Sequence, residues 1–490
     1  MNFLFRRAAY IPVGSFGPAF FRVPVSLAVA DLTSHVHITG TTNSGKSRLL
    51  AHLAASLIER GEGVTLIDPH GDAARLVIAH LIARGVYADS GAYERITYLD
   101  LPAAARRGRY TPLNILEQPF DTPTTARLVL EAFRRAWPAL DNGVAPAFEN
   151  AVLSGVSVLV HHRLPVVFLH DLLTDAAWRA ELLKDIADPT VRGFFARMEK
   201  WGSREQAQYL ESTLRRAFLL SFSPVLRYSL GQTENRLGSF RERMDRGQSL
   251  IVNLALPDPD ARRLLGAFLT VFAEQGARQR ADTEADRRGR NHTLILDEFA
   301  DLASQSGTAL QHILEECRKF GLGLVLAHQS GAQLTAEITG ALGNVGTTVV
   351  FRLGRRDAEA AAYRIGMANP KAIKHAGNER AAHPLYVPFP EQWEGWTAAI
   401  QNLKPRQMFV KRLPPTHPLL RRFHARVARL RTPNLPDPLV SPETLARVEE
   451  WYLRECFTVQ PVVEAELANL RPVTTAPKTK RRTRITSADC

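Results

Sequence analysis

The chain has 490 residues, 45% of them hydrophobic and 23% charged, which excludes a disulfide miniprotein and a wholly disordered chain and leaves room for about three domains. Lys and Arg number 62 against 49 Asp and Glu, a net charge of +13 that suits a partner rich in negative charge, whether nucleic acid, nucleotide or anionic lipid. Cys317, Cys456 and Cys490 are too few and too far apart for a disulfide framework or a CxxC metal pair. No run of about 18 apolar residues marks a membrane span, so the expectation is a cytoplasmic chain with no transmembrane segment of its own.

Residues 1–34 read as a short β or extended segment, its apolar stretch broken by Pro12, Gly14, Gly17, Pro18, Arg22 and Pro24. The run His35-Val36-His37-Ile38-Thr39 then leads into Gly40-Thr41-Thr42-Asn43-Ser44-Gly45-Lys46-Ser47, a full GxxxxGKS. Apolar residues at 49, 50, 53, 54, 57 and 58 form a helical face behind it, ending at Gly61. Strand, loop and helix stand in the order a phosphate loop requires. A triphosphate needs many donors at once, and only backbone free of side-chain bulk wraps it. Gly40 and Gly45 permit the wrap, Lys46 would bridge β- and γ-oxygens, and the Ser47 hydroxyl would ligate Mg²⁺. A second apolar strand, Val64–Asp68, ends in Asp68-Pro69-His70-Gly71-Asp72. Ligands of open α/β sheets gather at such strand ends, which makes Asp68 a candidate for the nucleotide site. The plain alternative is a turn in which Asp72 caps the next helix.

From Asp121 to Met244 strand-like runs become scarce and helical spacing recurs, as at Ala126, Val129, Leu130, Phe133, Ala136 and Trp137 behind Thr122-Pro123. This segment reads as an inserted all-α domain. The sheet pattern returns at Ser249–Leu254, followed by a helix over 262–277. His292-Thr293-Leu294-Ile295-Leu296-Asp297-Glu298 then has the Walker B form, an apolar strand delivering two carboxylates. Asp297 would hold Mg²⁺ and Glu298 would orient and partly deprotonate the attacking water, a second acid that favours hydrolysis over a kinase or a simple switch. A helix over 309–320 and the strand Leu322–Ala327 bring His328-Gln329 to the same edge, where the Gln329 amide would contact the γ-phosphate or the water. Arg318 precedes the turn at Gly321, and Arg352, Arg355 and Arg356 follow the strand Thr347–Phe351. Either set supplies an arginine finger, worth about 10³ to 10⁵ in rate, and spacing alone does not choose between them. Beyond Thr432 the chain is Pro-rich, then helical over 442–456, and ends in the basic group Lys478, Lys480, Arg481, Arg482 and Arg484, which reads as disordered.

Five features in order carry a resemblance: Gly40–Ser47; Asp68–Asp72; the turn Tyr110-Thr111-Pro112-Leu113-Asn114; Asp297-Glu298 with Glu316–Gly321; and Leu326–Gln329 followed by Gly343–Gly346. The chain resembles the HerA/FtsK superfamily of ring-forming DNA-pumping ATPases, and within it the soluble part of type IV secretion coupling proteins used in conjugative DNA transfer. The resemblance implies a RecA-like α/β core with a mostly parallel sheet, an all-α insert facing incoming DNA, ATP and Mg²⁺ as ligands, and a hexamer with Arg318 as the finger given to the neighbouring subunit. The expected division is 1–34, then 35–120 and 246–430 as the nucleotide-binding domain, 121–245 as the insert and 431–490 as a helix with a basic tail. The leading expectation is an ATP-driven DNA translocase, recruited at most to the inner face of the membrane. The alternative is a nucleotide-gated docking ATPase that recruits a relaxase, nuclease or secretion channel without moving DNA.

Overall fold

The computed structural model describes residues 10–17, 22–137, 145–280, 290–299, 307–329, 331, 334–375, 385–412 and 426–471. In chain order the strands are β1 (Tyr10–Phe16), β2 (Val23–Ala28), β3 (Val36–Thr39), β4 (Gly63–Asp68), β5 (Ile96–Asp100), β6 (Arg109–Tyr110), β7 (Ser249–Asn253), β8 (His292–Leu296), β9 (Leu322–His328), β10 (Thr347–Val350), β11 (Ile373–His375), β12 (Leu385–Tyr386), β13 (Gln407–Arg412), β14 (Val427–Arg431) and β15 (Thr458–Val459). Eleven of them form one sheet, ordered β2-β1-β14-β13-β10-β3-β9-β8-β4-β7-β5. The seven from β10 to β5 run parallel, and the other four extend the sheet antiparallel.

The parallel strands are near-continuous apolar runs because helices cover both faces. Side chains alternate between those faces: Leu294 and Leu296 join one buried cluster, while Ile295 joins the other. The second cluster takes Leu49, Leu50, Leu53 and Leu57 of helix Lys46–Glu59 with Val77 and Leu81 of helix Asp72–Ala83. The order β3-β9-β8-β4 has a direct consequence for chemistry. It aligns the carboxyl ends carrying Gly40, Gln329, Asp297 and Asp68 along one edge, although residues 40 and 297 are far apart in the chain.

Among the described residues, 122–246 hold helices joined by turns and loops, with one isolated bridge from Asn235 to Leu113. The first, Thr122–Ala136, is started by Asp121, whose carboxylate accepts from Thr124 N at 2.8 Å, with Pro123 early in the first turn. Its buried face shares one apolar cluster with helix Pro259–Arg278, which lies on the sheet, so Phe133 meets Phe268 at a ring separation of 5.9 Å. A buried ion pair fixes the same contact: Arg135 donates to both Glu274 oxygens at 3.0 and 2.8 Å and to Glu131 at 2.9 Å.

The C-terminal part is more ordered in its course than its composition suggests. After β14, residues 432–440 run without regular structure to helix Pro442–Glu455, whose Tyr452 hydroxyl donates to Ile96 O at 2.9 Å. Then β15 pairs with β6, and helix Gln460–Leu470, which no pattern in the sequence announces, packs on helix Pro224–Leu230 of the helical stretch. Lys478 to Arg484 lie outside the described residues. Among the described residues no helix is long and apolar enough to cross a membrane.

Candidate nucleotide site

Two glycines make the loop between β3 and helix Lys46–Glu59 possible. A Cβ on Gly40 would sit 2.6 Å from Phe351 Cβ, and Gly45 adopts φ 111° as it caps the helix. Asn43 also lies in the left-handed region, at φ 60°. The loop is clamped from β10 by the Arg352 carbonyl, which accepts from Thr41 N at 3.0 Å, and from β9 by a 3.4 Å contact of Gly40 N with His328 O.

Lys46, Asp297 and Glu298 converge here. The Lys46 Nζ is 3.2 Å from Asp297 Oδ1 and 3.5 Å from Glu298 Oε2, and all three side chains are at least nine-tenths buried. Ser47 Oγ is 3.4 Å from Asp297 Oδ2. A hydroxyl facing a carboxylate is a hard-oxygen pair of the kind Mg²⁺ takes alongside phosphate and water, so these residues fit the ion. Glu298 sits at φ 58°, a strained conformation for a non-glycine residue of a sort that clusters at functional sites. Its Oε1 accepts from Gln329 N at 3.3 Å, and the Gln329 amide oxygen accepts from Thr42 Oγ1 at 3.0 Å. The glutamine therefore joins the phosphate loop to the acidic strand.

Asp68 is placed differently. It is fully buried at the end of β4, and its two oxygens accept from His70 N and Ala74 N, both at 2.9 Å. It shapes the turn into helix Asp72–Ala83 and does not line the cleft, although Asp72 and His70 do. Burial first, then the charge of Asp297, pushes the Asp68 carboxyl above its ordinary range. Asp72 is the first residue of that helix and Gly71 its N-cap, so the capping bond comes from Asp68 instead.

The arginines divide as well. Arg318 is exposed at the end of helix Gly307–Lys319 and away from this chain's own cleft. Arg355 is engaged by Glu359 at 2.6 Å and by both oxygens of Glu394 at 2.6 and 2.7 Å. Arg352 and Arg356 are exposed.

Behind Gln329 lies a buried polar chain. Arg364 contacts His37 Nδ1 at 3.3 Å, and His37 Nε2 is 2.8 Å from His328 Nε2. Arginine has only donors, so this bonding assigns the neutral His37 proton to Nε2, facing His328. Burial, then the charges of His328 and Arg364, holds His37 well below the ordinary histidine pKa. Phe299, the residue after Glu298, packs edge-on against both rings.

The whole cleft measures about 1160 Å³ and includes residues that motif reading missed: Arg48, Arg75, Arg406 and the segment from Thr432 to Pro438. Residues 11–132 match the family model described as the central domain of helicase HerA, and residues 205–375 match the type IV secretion-system coupling protein DNA-binding domain. The HerA/FtsK resemblance is thus matched by family models over these two stretches. No curated protein matches the chain. Among solved structures, the chain is similar to the unbound bacterial conjugative coupling protein TrwBdeltaN70, with 19% identity, 85% of this chain and 89% of that one covered, and a TM-score of 0.57. TrwB in complex with the ATP analogue ADPNP gives 18%, 84%, 88% and 0.53. VirB4 of Thermoanaerobacter pseudethanolicus gives 11%, 88%, 97% and 0.52. At such identities the likeness is one of fold, a RecA-type ATPase core with helices on both faces of a mostly parallel sheet.

Proposed function

We propose that the chain is an ATP-hydrolysing DNA translocase of the coupling-protein type, working as a hexameric ring. The observation that carries this reading is the approach of Lys46 to Asp297 and Glu298 beside Gln329, in a cleft floored by the phosphate loop. An arriving β,γ-phosphate competes with two buried carboxylates for the Lys46 ammonium. Binding then frees Glu298 to orient water while Gln329 holds the γ-phosphate. Ser47 and Asp297 would hold Mg²⁺, which supplies charge neutralisation at the phosphates. The exposed Arg318, remote from its own site, suits a finger offered to a neighbouring subunit. DNA as the cargo is supported by the DNA-binding description of the family model over 205–375 and by the net charge of +13.

The test is ATP turnover with and without single- and double-stranded DNA at low salt, where phosphate contacts are strongest. Stimulation is expected; equal rates across all DNA conditions would refute translocation. The docking alternative predicts nucleotide-dependent static binding to DNA or to a partner, which single-molecule tracking separates from directed movement.

A further inference from the structure

The cleft continues past the residues of the phosphate loop and the acidic strand. Its far wall is the segment from Thr432 to Pro438, which crosses the start of helix Lys46–Glu59. Two arginines fasten this strap to the phosphate loop. Arg48, the residue after Ser47, donates to Leu435 O at 2.7 Å and pairs with Asp437 at 2.7 Å. Arg406 stands at φ 70°; its N–H donates to Ser44 O at 3.0 Å and its carbonyl accepts from Thr432 N at 2.8 Å. Its guanidinium reaches Asn434 Oδ1 at 2.8 Å and Pro433 O at 2.9 Å. The strap is therefore tied to the loop at Ser44, through Arg406, and to the first turn of the following helix at Arg48.

The lining changes character along the cleft. The phosphate end is Lys46, Ser47, Asp297 and Gln329, whereas Leu435 and Pro438 of the strap line the same cleft as Leu76, Ala79 and Leu445. Leu76, Leu435 and Leu445 are only half-buried. Half-exposed apolar side chains lining a cleft beside a phosphate site suit a flat, weakly hydrated ring. Leu435 O and Pro433 O already accept from arginines, so this wall offers contact area more than edge-specific hydrogen bonds.

We infer that the strap from Thr432 to Pro438 is the nucleobase wall of the nucleotide site, gripping the purine ring by apolar contact with Leu435 at its centre. This rests on the reading of residues 40–47 as a phosphate loop. It also gives the C-terminal arm a role in ligand binding, because the same arm continues through β15 to helix Gln460–Leu470. There Glu464 accepts from Tyr228 at 2.7 Å, and Arg471 at the helix end pairs with Asp171 and Asp175 of the insert.

The test compares Mg·ATP with inorganic tripolyphosphate, which has the phosphates and no base, by calorimetry on the full chain. Leu435→Ser is expected to weaken ATP about 5- to 10-fold, in line with loss of a half-buried leucine contact, and to leave tripolyphosphate unchanged, while Leu435→Met restores ATP affinity. No change in either ligand, or a parallel loss of both, would overturn the inference, the second by showing that the strap only props the loop. Lys46→Gln in the same series tests the phosphate-loop reading separately, since it should weaken both ligands together.

Discussion

Lowering the pH from 7 to 5 is expected to remove about 4 kcal/mol of folding stability through two histidines of the central sheet region. His35 precedes β3, where its Nδ1 accepts from Leu324 N at 3.0 Å and its Nε2 donates to Leu314 O at 2.6 Å. That pattern leaves no place for a second proton. His292 begins β8 with Nε2 2.9 Å from Thr65 Oγ1, and its Nδ1 is buried without a hydrogen-bond partner among the described residues. Burial pulls His35 down to about 4, against the bond to Leu314 and with help from the Arg318 charge. Burial, then Arg280 and Arg243, brings His292 to about 3. Both values lie below the unfolded histidine near 6.5, so the unfolded chain binds more protons in the intervening window. Stability is full above that unfolded value and drains as pH falls toward the folded ones. At 1.36 kcal/mol per unit, pH 5 realises about 2 kcal/mol from each residue. Urea unfolding followed by tryptophan fluorescence at pH 7, 6 and 5 measures the loss. The control is His35→Asn with His292→Gln, both uncharged. The native protein should fall more steeply with pH than the double variant, and parallel curves would refute the reasoning.

Three further outcomes are expected. Arg135→Ala strands Glu274 in the core between the insert and helix Pro259–Arg278 and should cost about 3 to 5 kcal/mol in chemical denaturation, whereas Arg135→Met with Glu274→Leu should recover most of it. Recovery by neither would place the destabilisation elsewhere. Glu298→Gln should bind ATP with native affinity while turnover drops about 10² to 10⁴-fold; unchanged turnover would remove Glu298 from the role of base. Arg318→Ala and Glu298→Gln subunits, each inactive alone, should regain part of the turnover when mixed, because some boundaries then combine an intact acid with an intact finger. A mixture as inactive as its components would assign the finger to another residue.

What could be read in advance follows the range of the interactions. The phosphate loop is local: eight consecutive residues state their own geometry. The acidic strand is legible because burial on both faces demands an unbroken apolar run before Asp297. The parallel strands at β3, β4, β7, β8, β9 and β10 declare themselves in the same way. β5 passed unnoticed, and so did β13 and β14: in Val427-Ala428-Arg429-Leu430-Arg431 only Leu430 is fully buried, so pairing with β1 and β13 decides the strand and not its own composition. Arg135 illustrates the same limit, since on an amphipathic helix it reads as solvent-facing until Glu274, 139 residues away, covers it. Arg48 looks like an ordinary exposed helix residue and Arg406 like a loop cation. Only the folded course of the C-terminal strap makes them part of one cleft.

The shared pocket of Lys46 with Asp297 and Glu298 is most directly tested by calorimetric titration of Mg·ATP, with turnover measured in parallel, on the native chain and on Lys46→Gln, both checked for folding. One nucleotide per native chain is expected, with about 10- to 100-fold weaker binding and loss of hydrolysis in the variant. Equal affinity and equal turnover in the two proteins would contradict the pocket.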